Sequence, residues 1–117
     1  MNTNTIRENF KRGTIDLLLL FLLRDEEKYG YQLRNELAEQ SDGKYVLKET
    51  TLYPTLYRLV DNGYLKDKTI KTGKRRTRNY YYITEAGMDY LQELLNEYQT
   101  MTEGIQNILN YPSSAHQ

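Results

Sequence analysis

Residues 50–83, TTLYPTLYRLVDNGYLKDKTIKTGKRRTRNYYYI, read as an amphipathic helix, a helix stop and two strand-like arms around a basic turn. The helix has one apolar stripe at helical spacing, formed by Leu52, Leu56, Leu59 and Val60. Asn62-Gly63 is a typical end of a helix. Tyr64-Leu65 begins one arm and Asn79–Ile83, rich in strand-favouring residues, forms the other, so this part predicts a β-hairpin.

The turn of this hairpin concentrates the positive charge of the chain. Between Lys66 and Arg78, thirteen positions hold seven of the sixteen Lys and Arg residues and a single acid, Asp67. The rest of the chain keeps nine basic and fifteen acidic residues, so a net charge of zero divides into +6 and −6. Polyanions respond to such a local field, which favours nucleic acid as the partner. The alternative is a solvated loop that keeps the chain soluble.

Two helices are predicted before this stretch. The first should begin near Thr14, as N-cap, and contain Leu17–Leu23, which is apolar all round and therefore typical of a helix buried on more than one face. The second should run over residues 29–40, and residues 44–47 are predicted as a short strand. Three helices followed by a cationic hairpin is the order of a winged helix-turn-helix, whose third helix enters the DNA major groove.

The third helix is expected to be capped by Thr50 or Thr51, which places Pro54 in the first turn, where its missing N–H is tolerated. The helix face opposite the apolar stripe carries hydrogen-bonding or flat side chains, which suit base edges. The hairpin, which is the wing of this fold, adds cations that suit phosphates. The predicted DNA contacts are Thr50, Thr51, Tyr53, Pro54, Tyr57 and Arg58 in the helix, and Lys74, Arg75, Arg76 and Arg78 in the wing. For Tyr53 and Tyr57 the alternative is packing beneath the helix, and for Arg58 it is a surface pair with Asp61 or Asn62.

A long helix is predicted to follow Thr84, its N-cap, and to end near Asn110. Its apolar residues fall in a heptad pattern, which predicts a dimerisation surface at Leu91, Leu94, Leu95, Tyr98, Met101, Thr102, Ile105 and Ile108. Such a helix spans roughly 40 Å, longer than the preceding domain, which favours a second copy as its partner. The alternative is that the stripe covers its own domain. No Lys or Arg follows Arg78, so this helix should lie away from nucleic acid.

Composition argues against other classes of protein. The chain has no cysteine and one histidine, His116, so thiol or imidazole catalysis, a metal site and a cofactor are not expected. The apolar run 17–23 is too short to span a membrane, and a cytoplasmic protein is expected. The predicted organisation is a winged helix-turn-helix domain over 1–84, a dimerisation helix over 85–110 and a disordered tail over 111–117. The fold class is mainly α with a small β-hairpin.

Several runs resemble PadR-type transcriptional regulators. They are Lys11-Arg12-Gly13-Thr14, Tyr29-Gly30-Tyr31-Gln32-Leu33, TLYPTLYRL at 51–59, Gly63-Tyr64-Leu65 and RNYYYITEAG at 78–87. The resemblance covers about residues 11 to 90. It implies a homodimeric repressor that reads an inverted repeat in double-stranded DNA, and it is closest to the smaller subfamily with one C-terminal helix.

The chain also departs from these relatives. Asn79 stands where a basic residue is common, and Tyr82 stands where a polar or charged one is. Some relatives bind flat aromatic drugs at the dimer centre with tryptophan, which this chain lacks. Phe10, Tyr98 and Met101 are expected to line a smaller apolar cavity, so the effector considered for this chain is a small apolar one. The alternative function is a protein-interaction module whose cationic wing docks an acidic partner.

Overall fold

A computed structural model describes residues 3–116. The elements are α1 (Thr3–Lys11), α2 (Ile15–Leu22), β1 (Lys28–Tyr29), α3 (Gly30–Gln40), α4 (Glu49–Asp61), β2 (Leu65–Lys71), β3 (Thr77–Ile83), α5 (Glu85–Leu109) and a 3₁₀ turn at Ser114–His116. The mainly helical fold with a small hairpin is confirmed. The predicted tail disorder over 111–117 stays a prediction, and Gln117 lies outside the described residues.

Leucines from four helices form the core around α2. Leu19, Leu20, Leu33, Leu52, Leu56 and Leu59 have no exposed surface, so the predicted stripe of α4 is confirmed. Helix α2 packs against α3, α4 and α5. Its coverage is incomplete on one side, because Leu18 is half-buried and Phe21 keeps 37% of its surface exposed.

The sheet has three strands, in the order β1-β3-β2, where a two-stranded hairpin was predicted. The hairpin register runs from Leu65 opposite Ile83 to Lys71 opposite Thr77. Strand β1 adds to the free edge of β3. The strand predicted at 44–47 is wrong, because side chains occupy that backbone instead: the Tyr45 N–H donates to Ser41 Oγ at 2.8 Å, and Lys11 Nζ donates to the Val46 carbonyl at 2.5 Å.

Two helix beginnings differ from the prediction. Helix α1 was not predicted, because Ile6 and Phe10 alone supply its apolar face. Helix α4 begins at Glu49 with Lys48 in the N-cap position, so neither Thr50 nor Thr51 is the cap. Pro54 consequently lies in the second turn rather than the first, and it has no N–H to donate to the Thr50 carbonyl.

Helix α5 begins as predicted, immediately after Thr84. The Thr84 hydroxyl accepts a hydrogen bond from the Gly87 N–H at 3.0 Å and donates one to the Gly63 carbonyl at 2.7 Å. Gly87 permits close packing here, since a Cβ at this position would lie 2.1 Å from the Tyr64 carbonyl oxygen. The first turns of α5 therefore pack firmly on the domain, where Tyr64 and Tyr90 stack with ring centroids 4.2 Å apart.

Candidate nucleic-acid interface

The wing, formed by β2, β3 and the loop 72–76, presents cations that are almost all unpaired. The loop is closed by a hydrogen bond from the Thr72 N–H to the Arg76 carbonyl at 2.9 Å. Within residues 3–116, Lys68 pairs with Glu27 at 2.6 Å, and the other six basic residues of 66–78 have no acid within 4.0 Å. All six are exposed, so the wing keeps its positive field.

Helix α4 presents an open face beside the wing. Thr50, Pro54 and Tyr57 are exposed there, whereas Thr51 is half-buried. Tyr53 is also half-buried, and its ring lies so close to Gly30 that a Cβ at that glycine would be 2.6 Å from it. Burial raises the pKa of the Tyr53 phenol. The geometry thus favours the packing alternative for Tyr53.

Arg58 points away from this face, toward α2. Its Nη2 lies 2.5 Å from Asp16 Oδ1, and this hydrogen bond raises the pKa of the guanidinium. Asp61 and Asn62, the partners considered from the sequence, are not the ones it uses. The Arg58 side chain is 51% exposed and uses one nitrogen in this pair, so the rest of the guanidinium remains open to solvent. Sequence reasoning missed this pair because 42 positions separate the two residues.

The predicted dimerisation residues of α5 fall into two groups, one packed on the domain and one exposed. Leu91 is 3% exposed and belongs to the core of its own domain, so it has little surface left for contact with a second copy. Leu94 and Leu95 are half-buried against the same core. Beyond them Thr102 is exposed, and the large apolar side chains remain half or more exposed: Tyr98 55%, Met101 55%, Ile105 50%, Ile108 75% and Leu109 71%. These five form what we call the apolar face of α5.

An apolar groove of about 580 Å³ lies between α1, α2 and the middle of α5. We call it the α1–α5 groove. Phe10 and Tyr98 line it as predicted, whereas Met101 is not among its lining residues. Its remaining apolar wall consists of Ile6, Leu17, Leu18, Phe21 and Leu95. The wall that α1 forms in this groove was not predicted from the sequence. The spacing of Ile6 and Phe10, four positions apart, is the pattern that would have indicated it.

Metal-binding clusters and membrane-spanning helices are both absent from residues 3–116. No group of three or more His, Cys, Asp or Glu side chains there is arranged to hold a metal ion. No helix in that range has both the length and the apolar character needed to cross a membrane.

Known proteins share this fold. A transcriptional regulator from Clostridium thermocellum is 33% identical and superposes with a TM-score of 0.80 over 85% of this chain and 96% of its own. A PadR family transcriptional regulator from Eggerthella lenta is 28% identical, with a TM-score of 0.83 over 93% of each chain.

A third relative is the negative transcriptional regulator PadR of Bacillus subtilis. It is 27% identical over 76% of this chain, which spans 49% of that protein. Its crystal structure in complex with operator DNA matches 70% of this chain and 47% of its own, with a TM-score of 0.66. The model of the PadR-like transcriptional regulator family matches residues 19–93, from α2 into α5. The chain therefore belongs to the PadR-like family of transcriptional regulators, which are not enzymes.

Proposed function

We propose that this chain binds double-stranded DNA as a homodimer and represses transcription from an inverted-repeat operator in the cytoplasm. The observation that carries the proposal is the state of the wing cations. Of the nine basic residues outside the wing, five are held in ion pairs with acids: Lys11, Arg24, Lys28, Arg34 and Arg58. The wing leaves six of seven unpaired within residues 3–116, which is expected of a surface that awaits phosphates.

The recognition helix in this proposal is α4. Thr50, Pro54 and Tyr57 lie on its open face beside the wing, where side chains of a recognition helix meet the major groove. The Bacillus subtilis relative, whose crystal structure contains operator DNA, supports DNA binding by this fold. Lys74, Arg75 and Arg76 in the loop would then contact phosphates. Phosphate contacts carry no direct information about the DNA sequence.

Dimerisation in this proposal uses the apolar face of α5. A monomer rarely exposes five large apolar side chains on one helix face, so a second copy is the expected cover. The acids of this helix, Glu85, Asp89, Glu93, Glu97 and Glu103, keep it away from DNA. Two copies related by a two-fold axis would present two α4 helices to the two halves of an inverted repeat.

Binding of a small apolar effector in the α1–α5 groove is part of the proposal. The groove volume of about 580 Å³ suits a small organic ligand. Leu17 and Leu18 of its wall are on α2, beside Asp16, which holds Arg58 of the recognition helix. A ligand that displaces α2 would therefore change the position of α4 and release the operator.

Selection of bound duplexes from a random pool, followed by fluorescence anisotropy over a range of salt, tests the function. The proposal predicts an enriched inverted repeat and an affinity that falls steeply as salt rises. Absence of any duplex binding at low salt would overturn it, and would favour a wing that docks an acidic protein.

A further inference from the structure

A second groove, of about 370 Å³, lies between the wing and α4, at the start of α3. We call it the tyrosine groove, after Tyr29, Tyr31, Tyr53, Tyr57 and Tyr81, which line it. It spans the gap between the two elements that the proposed function places on DNA. A DNA strand that contacts both the wing and α4 must pass over this groove.

The floor of the tyrosine groove is rigid. Tyr81 is 1% exposed, and burial raises the pKa of its phenol to about 12. The Asn79 amide donates hydrogen bonds to the Tyr81 hydroxyl at 3.3 Å and to Asp67 Oδ2 at 3.0 Å. The Tyr53 ring is fixed against Gly30, where a Cβ would overlap it. A ligand therefore meets a surface that does not need to rearrange.

The rim of the groove carries two free phenols. Tyr31 is 56% exposed and Tyr57 is 54% exposed. Neither hydroxyl has a hydrogen-bond partner within the described part of the chain. A phenol is neutral at physiological pH and donates a hydrogen bond without adding charge.

Arg78 supplies a cation at the same rim. Its guanidinium carbon lies 4.3 Å from the ring centroid of Tyr29, and that ring packs edge-on against Tyr80 with centroids 5.4 Å apart. The guanidinium is thus ordered by an aromatic face rather than by an acid, so its charge is not neutralised. Arg78 and the two rim phenols provide one positive charge and two neutral donors.

We propose that the tyrosine groove binds a single phosphodiester of one DNA strand, between the recognition helix and the wing. Arg78 pairs with the single negative charge of the phosphodiester, and the Tyr31 and Tyr57 hydroxyls donate to its non-bridging oxygens. This inference rests on the proposed function and deepens it. It makes Tyr57 a backbone contact rather than a base contact, and it adds Tyr29 and Tyr31 to the interface.

The test compares two kinds of loss in the full-length protein. The double variant Tyr31→Phe/Tyr57→Phe should bind DNA more weakly, by roughly tenfold for each of the two hydroxyls that a protomer loses. The loss should be the same on the selected operator and on random duplex. The salt slope of this variant should stay unchanged, because no cation is removed. Arg78→Gln should also weaken both duplexes, and should reduce the slope by about 0.9 for each protomer.

The matched control is Tyr111→Phe, which removes an exposed phenol from the segment after α5. It should bind DNA as the wild type does, and all variants should keep the wild-type melting temperature. If the rim variant binds as the control does, the groove holds no phosphate. If it loses affinity for the operator alone, the phenols read bases, and the inference is again overturned. A wild-type protein that binds no duplex at low salt would instead refute the proposed function.

Discussion

Replacing Met101 and Ile105 by aspartate should convert the proposed dimer into folded monomers. Both residues lie on the apolar face of α5, and they are 55% and 50% exposed in the single chain. Neither belongs to the core, so the domain should keep its fold. Leu94 is a poorer choice, because it is half-buried against its own core and its loss would also destabilise the monomer.

The magnitude follows from the exposed halves of these side chains. Full burial of a Met or Ile side chain stabilises by about 1.5–3 kcal/mol, so covering the exposed half contributes roughly 1 kcal/mol. A two-fold dimer contains four such side chains, so the substitutions remove roughly 4 kcal/mol, or about a thousandfold in the dissociation constant. Four carboxylates that must lose water on association add to this cost.

Sedimentation velocity over a series of concentrations measures the outcome, with circular dichroism to verify the fold. The matched control is Thr100→Asp with Asn107→Asp, which adds the same charges on the exposed opposite side of α5. The control should remain dimeric where the Met101 and Ile105 variant is monomeric. If both dissociate alike, added charge is responsible; if neither does, this face is not the interface.

Three further predictions concern the domain. Arg58→Ala and Asp16→Ala should each weaken operator binding by a similar factor, because each breaks the same ion pair. The double variant should bind no more weakly than either single variant, and additive losses would mean that Arg58 contacts DNA independently. Tyr81 keeps its proton to about pH 12 when folded and loses it near 10 when unfolded, so between these values the free energy of unfolding should fall by up to roughly 3 kcal/mol. Denaturant titrations in which Tyr81→Phe shows the same pH dependence would disprove this. Gly87→Ala should cost about 1–3 kcal/mol in thermal unfolding, because its Cβ would overlap the Tyr64 carbonyl, and an unchanged melting temperature would contradict that contact.

Local patterns predicted most of the elements. The leucine spacing of α4 and the cap at Thr84 depend on residues a few positions apart, and both α4 and α5 are found close to their predicted bounds. The strand-favouring residues at 79–83 predicted the second arm of the hairpin, and β3 runs from Thr77 to Ile83. The wing cations follow from composition alone.

What the sequence did not predict depends on distant partners. Strand β1 has two residues, too few for a pattern, and it exists because β3 offers a free edge. The pair between Arg58 and Asp16 joins two helices that are remote in sequence. The tyrosine groove brings Tyr31 of α3 beside Tyr57 of α4 and Arg78 of β3, and no spacing in the sequence records that meeting.

Salt dependence of DNA binding by a wing variant tests the central claim most directly. Lys74, Arg75 and Arg76 occur twice in a dimer, and each phosphate contact contributes about −0.9 to the slope of log affinity against log salt. Changing all three to Ala should therefore flatten the slope by up to roughly 5, with similar losses on operator and random duplex. A charge-conserving control, Lys74→Arg with Arg75→Lys and Arg76→Lys, should keep the wild-type slope. If the alanine variant also keeps that slope, the wing is a solubilising loop and the account of this protein as a DNA-binding regulator is contradicted.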